Sequence, residues 1–220
     1  MPSADRLGDP LEGTTPQGEL EWWKRAAAEA ETEEQRKIIE QNRAFLSRMA
    51  ARLRGHYFVS CWAMKEHETR AMWNCYTSSP ESVAIRTAYA VLRKNLPEYC
   101  LLGLIRYIDY AKDRLPSMNL LQHVTHKDVF YDFESEVRAV VMTPPDPDPT
   151  SVDFRKHLFE KKDQHGFLVF APPIDIANLI QGVVLHPDAS PEFASRIAKL
   201  CMKISLPAPE QSRQRHKPEF

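Results

Sequence analysis

Seven glycines occur in 220 residues, at positions 8, 13, 18, 55, 103, 166 and 182, and no two stand close enough to build a GxGxxG turn or a Walker phosphate loop. Folds that cradle phosphate on glycine-rich backbone are thereby excluded. Glycine and proline are both missing from Glu19 to Arg54, where Ile38, Asn42, Phe45, Leu46, Met49 and Leu53 recur at helical spacing behind a Thr32-x-x-Gln35 capping signal. Two helices are expected there, the second amphipathic. With 43% hydrophobic residues the chain can bury one sizeable core.

The rest reads as short strands mixed with helices. His56 to Trp62, Ser82 to Thr87, Leu101 to Tyr110, Ser135 to Met142, Phe167 to Ala171 and Gly182 to His186 carry the β-branched and aromatic residues of strands. Helices are expected over Glu66 to Tyr76, Ala88 to Asn95, Asn119 to Phe133, Asp175 to Leu179, and from a Ser190 cap with Pro191 at the first helical position to Met202. This order lacks a regular βαβ repeat. It predicts an α+β fold with a single mixed or antiparallel sheet of about six strands. The expected organisation is a loop over 1–18, one domain over 19–204 and a disordered tail over 205–220. The polar stretch Pro144 to Gly166 is a candidate lid.

Charge and cysteine content narrow the setting. Twenty-nine Lys and Arg against 30 Asp and Glu leave no global field for a polyanion. Arg196, Lys199 and Lys203, with Arg213, Arg215, His216 and Lys217 behind them, could form a basic stripe, but no aromatics interleave it for base stacking. This argues against specific nucleic-acid binding. Cys61, Cys75, Cys100 and Cys201 form no CxxC pair, no secretory leader opens the chain, and no apolar run approaches the roughly 20 residues of a membrane span. A cytoplasmic protein without a membrane segment is expected.

A longer pattern carries a family resemblance. Cys61-Trp62, Glu68, Ala71-Met72-Trp73, Tyr76, Val83-Ala84-Ile85, Arg106-Tyr107-x-Asp109-Tyr110, Lys127, Phe130 and Glu134-x-Glu136-x-Arg138 follow in an order and spacing that resemble the bacterial family called domain of unknown function 2971. The opening Ala4-Asp5-Arg6-Leu7-Gly8-Asp9-Pro10-Leu11-Glu12-Gly13 also resembles that family, where it follows an N-terminal strand and helix. The resemblance thus implies a truncated N-terminus and a sheet with an unpaired edge.

Strand periodicity predicts that Glu134, Glu136 and Arg138 share one face. This Glu-x-Glu strand is similar to that of ADP-ribosyltransferases, and the similarity implies NAD as substrate, with Glu136 as catalytic acid and Glu134 as its helper. It further implies Ser60 as a strand-borne positioning residue and Trp62, Trp73 or Tyr76 as a stacking surface. Lys127 could pair with a phosphate, and Arg138 lies on the acids' face. The first-strand Arg or His of that family has no counterpart, so the resemblance also allows an inactive chain. The competing reading is a non-catalytic module in which Glu, Arg and Trp are structural and the 19–54 helices dock a protein partner. Exposed apolar residues on those helices would favour it. His123-x-x-His126 has the spacing of two metal ligands on a helix, but no third ligand has a telling spacing, and no metal is expected.

Overall fold

The computed structural model describes residues 1–117, 119–144, 150 and 159–215. The chain forms two compact units, Met1–Met64 with Tyr99–Pro172, and Lys65–Glu98 with Pro173–Phe220. Among the described residues no helix is long and apolar enough to cross a membrane.

The first unit opens with a helical hairpin, α1 (Gln17–Ala28) and α2 (Glu33–Leu53). The capping box expected at its second helix is present: the Thr32 hydroxyl accepts from the Gln35 N–H and the Gln35 side chain accepts from the Thr32 N–H. α1 is fixed at its first turn. Trp23 donates to Glu19, whose other oxygen accepts from Leu115 N–H, and the Arg114 guanidinium lies 3.5 Å from the centroid of the Trp22 ring.

Behind α2 lies an antiparallel sheet ordered β1 (Tyr57–Ala63), β6 (Glu136–Met142), β3 (Leu101–Leu104). Register places Cys61 and Gly103 on either side of Arg138, and Ala63 opposite Glu136. One face of the sheet packs Tyr57, Val59 and Val140 against Ala4, Leu53 and Val124. The other face carries Phe58, which meets Phe170 at 5.8 Å between ring centroids. The far edge of β1 is not bare, since Ser3 bridges Phe58 and Val59 N–H donates to Pro2 O. Two small ladders complete the unit: β4 (Arg106–Ile108) parallel to β5 (His126–Asp128), and β7 (Glu160–Lys162) antiparallel to β8 (Leu168–Phe170).

The second unit contains α3 (Arg70–Tyr76), β2 (Val83–Arg86), α4 (Tyr89–Asn95), α5 (Ile176–Leu179), β9 (Gly182–Leu185), α6 (Pro191–Lys203) and β10 (Glu210–Gln211), with strand order β10-β9-β2.

The α+β class is as expected, but the strands divide among several small sheets rather than one, and two compact units replace the single domain. The expected helix over 119–133 is also different. Leu120–Val124 and Val129–Glu134 are 3-10 turns with β5 between them, because Asn119 and Asp128 each turn the backbone by accepting the N–H two residues on. The tail is ordered through Arg215: β10 pairs with β9, Arg86 grips Glu210 at 2.6 Å and 3.2 Å, and Glu68 accepts from Arg213 N–H and Gln214. Residues 216–220, and most of the candidate lid, lie outside the described residues.

The hairpin and the sheet unit meet at Gly18, whose N–H donates to Tyr110 O. A Cβ there would stand 2.3 Å from the Lys112 backbone, whereas one at Gly8 would have nothing within 4 Å. Gly18→Ala is therefore expected to lower unfolding free energy by about 1–3 kcal/mol, and Gly8→Ala to change it by less than about 0.5 kcal/mol, as read by urea denaturation.

Candidate functional site

A dense group of ionisable side chains of the first unit is buried on the core-side face of β6. Arg138 occupies the middle strand and is 2% exposed. Its Nε and one terminal nitrogen engage both oxygens of Glu136 at 2.6 Å and 2.9 Å. The other terminal nitrogen donates to Glu12 at 2.5 Å and to Val124 O at 3.0 Å. Lys127, also buried, donates to Glu134 at 2.6 Å and lies 3.8 Å from both Glu12 and Glu136. Its ammonium stands 4.4 Å from the Tyr131 ring centroid.

Local chain geometry assembles this network. Glu136 and Arg138 share a face because strand side chains alternate. Glu134 is not on the strand, since Ser135 adopts a left-handed conformation (φ 47°) that ends the preceding 3-10 turn and redirects the chain. The Glu134 carboxylate nevertheless reaches the network from that turn through Lys127, which β5 supplies. Glu12 comes from a tight loop in which Asp9 accepts from Leu11 N–H, and Gly13 follows at φ +72°. Tyr107 fixes the entry to β6, its hydroxyl accepting from Glu136 N–H at 2.8 Å.

The electrostatics follow from burial set against pairing. Burial opposes the charge of Arg138 and of Lys127. In both, the carboxylate hydrogen bonds and neighbouring negative charges outweigh it, and the pKa is raised. Cys61 keeps surface exposure, yet its surroundings are crowded with protein. Desolvation, outweighing the opposing pull of Arg138 and helped by the negative charge of Glu136, pushes its thiol up to about 12. A neutral thiol is not a nucleophile at physiological pH.

The other expected site residues lie elsewhere. Ser60 and Trp62 are on β1 but face the opposite side of the sheet from Glu136 and Arg138, where the Trp62 indole donates to Ser60 Oγ at 3.0 Å. A one-residue offset on a strand separates them from the acids. Trp73 and Tyr76 belong to the second unit. Trp73 is buried there, donating to Glu68 at 2.7 Å and meeting the His186 ring edge-on, while Tyr76 is 59% exposed. The structure therefore brings together Glu134, Glu136, Lys127 and Arg138, and does not bring Ser60 and Trp62 onto their face. Glu12 is the member that sequence reasoning missed as a site residue. Its only signal was its place in the opening family-like string.

His123 and His126 are each tied to backbone. His123 Nδ1 donates to Leu120 O at 3.2 Å and His126 Nδ1 to Gln122 O at 3.1 Å. Among the described residues no three His, Cys, Asp or Glu side chains are grouped so as to hold a metal ion. No family model, curated protein or solved structure matches the chain.

Two outcomes are expected. Arg138→Lys, which cannot hold Glu136 through two parallel bonds or reach Glu12 and Val124 as well, is expected to cost about 3 kcal/mol of unfolding free energy in urea. Burial lowers the pKa of both His123 and His126 below 6.5, so the unfolded chain takes up protons first as pH falls. Unfolding free energy is therefore expected to drop as pH falls through about 6.5, where the unfolded histidines protonate, and the drop is expected to shrink when both histidines are replaced by Gln. An unchanged pH slope would contradict the assignment.

Proposed function

We propose that the chain is a non-catalytic protein-interaction module that docks its partner through α2, with Glu12, Lys127, Glu134, Glu136 and Arg138 serving as structural members of the first unit. The observation that carries the reading is the outer face of α2. Ile38 and Phe45, seven residues apart and hence aligned on a helix, are 51% and 55% exposed. Single exposed apolar residues are ordinary, but two large ones in line on an amphipathic helix otherwise clothed in charge are the mark of a docking face.

The state of Glu136 supports the same reading. An NAD-using site would need this carboxylate directed at a ribose hydroxyl in a cavity shared with a positioning Ser and an aromatic platform. Here Arg138 takes both of its oxygens, its side chain is 3% exposed, and Ser60 and Trp62 stand behind the sheet. The kinship with the domain of unknown function 2971 family is part of the proposal, resting on the Glu134-x-Glu136-x-Arg138 string and the residues that precede it.

Incubation with NAD, followed by NMR for free nicotinamide, separates the readings. No release above buffer is expected from the folded chain. Release that disappears in Glu136→Gln would overturn the proposal in favour of an ADP-ribosyltransferase-like activity.

A further inference from the structure

Resting on the interaction reading, we infer that the partner of α2 is the α2 of a second copy of this chain, packed antiparallel about a twofold axis. Along the exposed side of the helix, Glu34, Ile38, Gln41, Phe45 and Arg48 follow at intervals of four, three, four and three residues. This is the spacing of a coiled-coil seam, which keeps a single stripe turned toward a facing helix. All five are exposed, and the stripe spans about 21 Å at 1.5 Å per residue.

The order of charges along the stripe selects the partner and its direction. The acidic end is Glu34 and the basic end is Arg48, with Ile38 four residues from the first and Phe45 three residues from the second. Within the chain fourteen residues separate these two charges, about four turns of helix, so neither reaches the other. Among the described residues neither has an ion-pair partner within 4.0 Å. A twofold axis level with the midpoint between Gln41 and Asn42 brings Ile38 of each copy opposite Phe45 of the other. It also brings Glu34 to within one residue step, about 1.5 Å along the axis, of the level of Arg48. In a parallel pair Glu34 would face Glu34 and Arg48 would face Arg48. The stripe is thus complementary to itself in the antiparallel sense alone, which is the condition for an isologous dimer.

Sedimentation equilibrium of the full chain tests this directly. A reversible dimer is expected at low salt, its dissociation constant rising with ionic strength. Phe45→Asp is expected to abolish it, with circular dichroism reporting that the helices remain. Glu34→Arg and Arg48→Glu are each expected to weaken it by about tenfold, and the two together to return affinity to within about threefold of the starting chain. A chain that stays monomeric at about 0.5 mM, or a dimer indifferent to Phe45→Asp and to the charge exchange, would overturn the inference. Neither result bears on the functional reading, which falls only if the same samples release nicotinamide from NAD.

Discussion

The Arg138 guanidinium is buried on the core-side face of β6, so the surrounding chain must provide what water would. Moving such an ion out of water costs several kcal/mol even after relaxation, and only close, well-directed pairing offsets that. Arg138 finds its acceptors on three separate segments: Glu136 two residues back on its own strand, the Val124 carbonyl at the end of a 3-10 turn, and Glu12 from the N-terminal loop. Because those segments are far apart in sequence, one side chain fixes the place of the opening loop and of the 120–134 region against the sheet. Lys127 extends the network to Glu134, so the turn before β6 is held by the same electrostatics. Three carboxylates then share two cations, and the apolar cluster of Tyr57, Val59 and Val140 fills the rest of the face.

The same arrangement explains why a pattern suggestive of chemistry belongs to architecture in our account. A carboxylate held by a bidentate arginine is pre-organised, but toward the arginine. The second unit repeats this use of charge on a smaller scale. Glu68 receives the indole N–H of Trp73 on one oxygen and the backbone N–H of Arg213 on the other, fastening α3 to the segment that follows β10. The helical hairpin of the first unit, by contrast, leaves Ile38 and Phe45 of α2 exposed.

Local signals were legible in the sequence where they act over a few residues. The Thr32 and Ser190 caps, the helices of the Gly- and Pro-free run from Glu19 to Arg54 and the alternation over Glu136–Met142 all appear where their chemistry puts them. What was not legible depends on distant partners. Periodicity alone cannot say that Asn119 and Asp128 will break a helix-like run into tight turns. Nor can it say that one antiparallel ladder ends at Leu104 and a parallel one begins at Arg106, with Ile105 N–H still bonded to Glu136 O. Glu136 and Arg138 could be placed on one face from spacing, but their union with Glu12 joins residues 126 positions apart. Ser60 and Trp62 face away from the acids because β1 pairs with β6 so that Cys61 stands opposite Arg138 and Ala63 opposite Glu136, a register that no local feature of β1 declares.

Arg138 ties the N-terminal loop to the sheet through Glu12, and a double-mutant cycle over Glu12→Gln and Arg138→Met measures that tie. Unfolding free energies from urea denaturation of the four chains should yield a coupling energy of about 1.5 kcal/mol or more, the two single losses exceeding what the double variant loses. Additive losses, with coupling within about 0.3 kcal/mol of zero, would mean that the loop and the strand are held independently and would contradict the account.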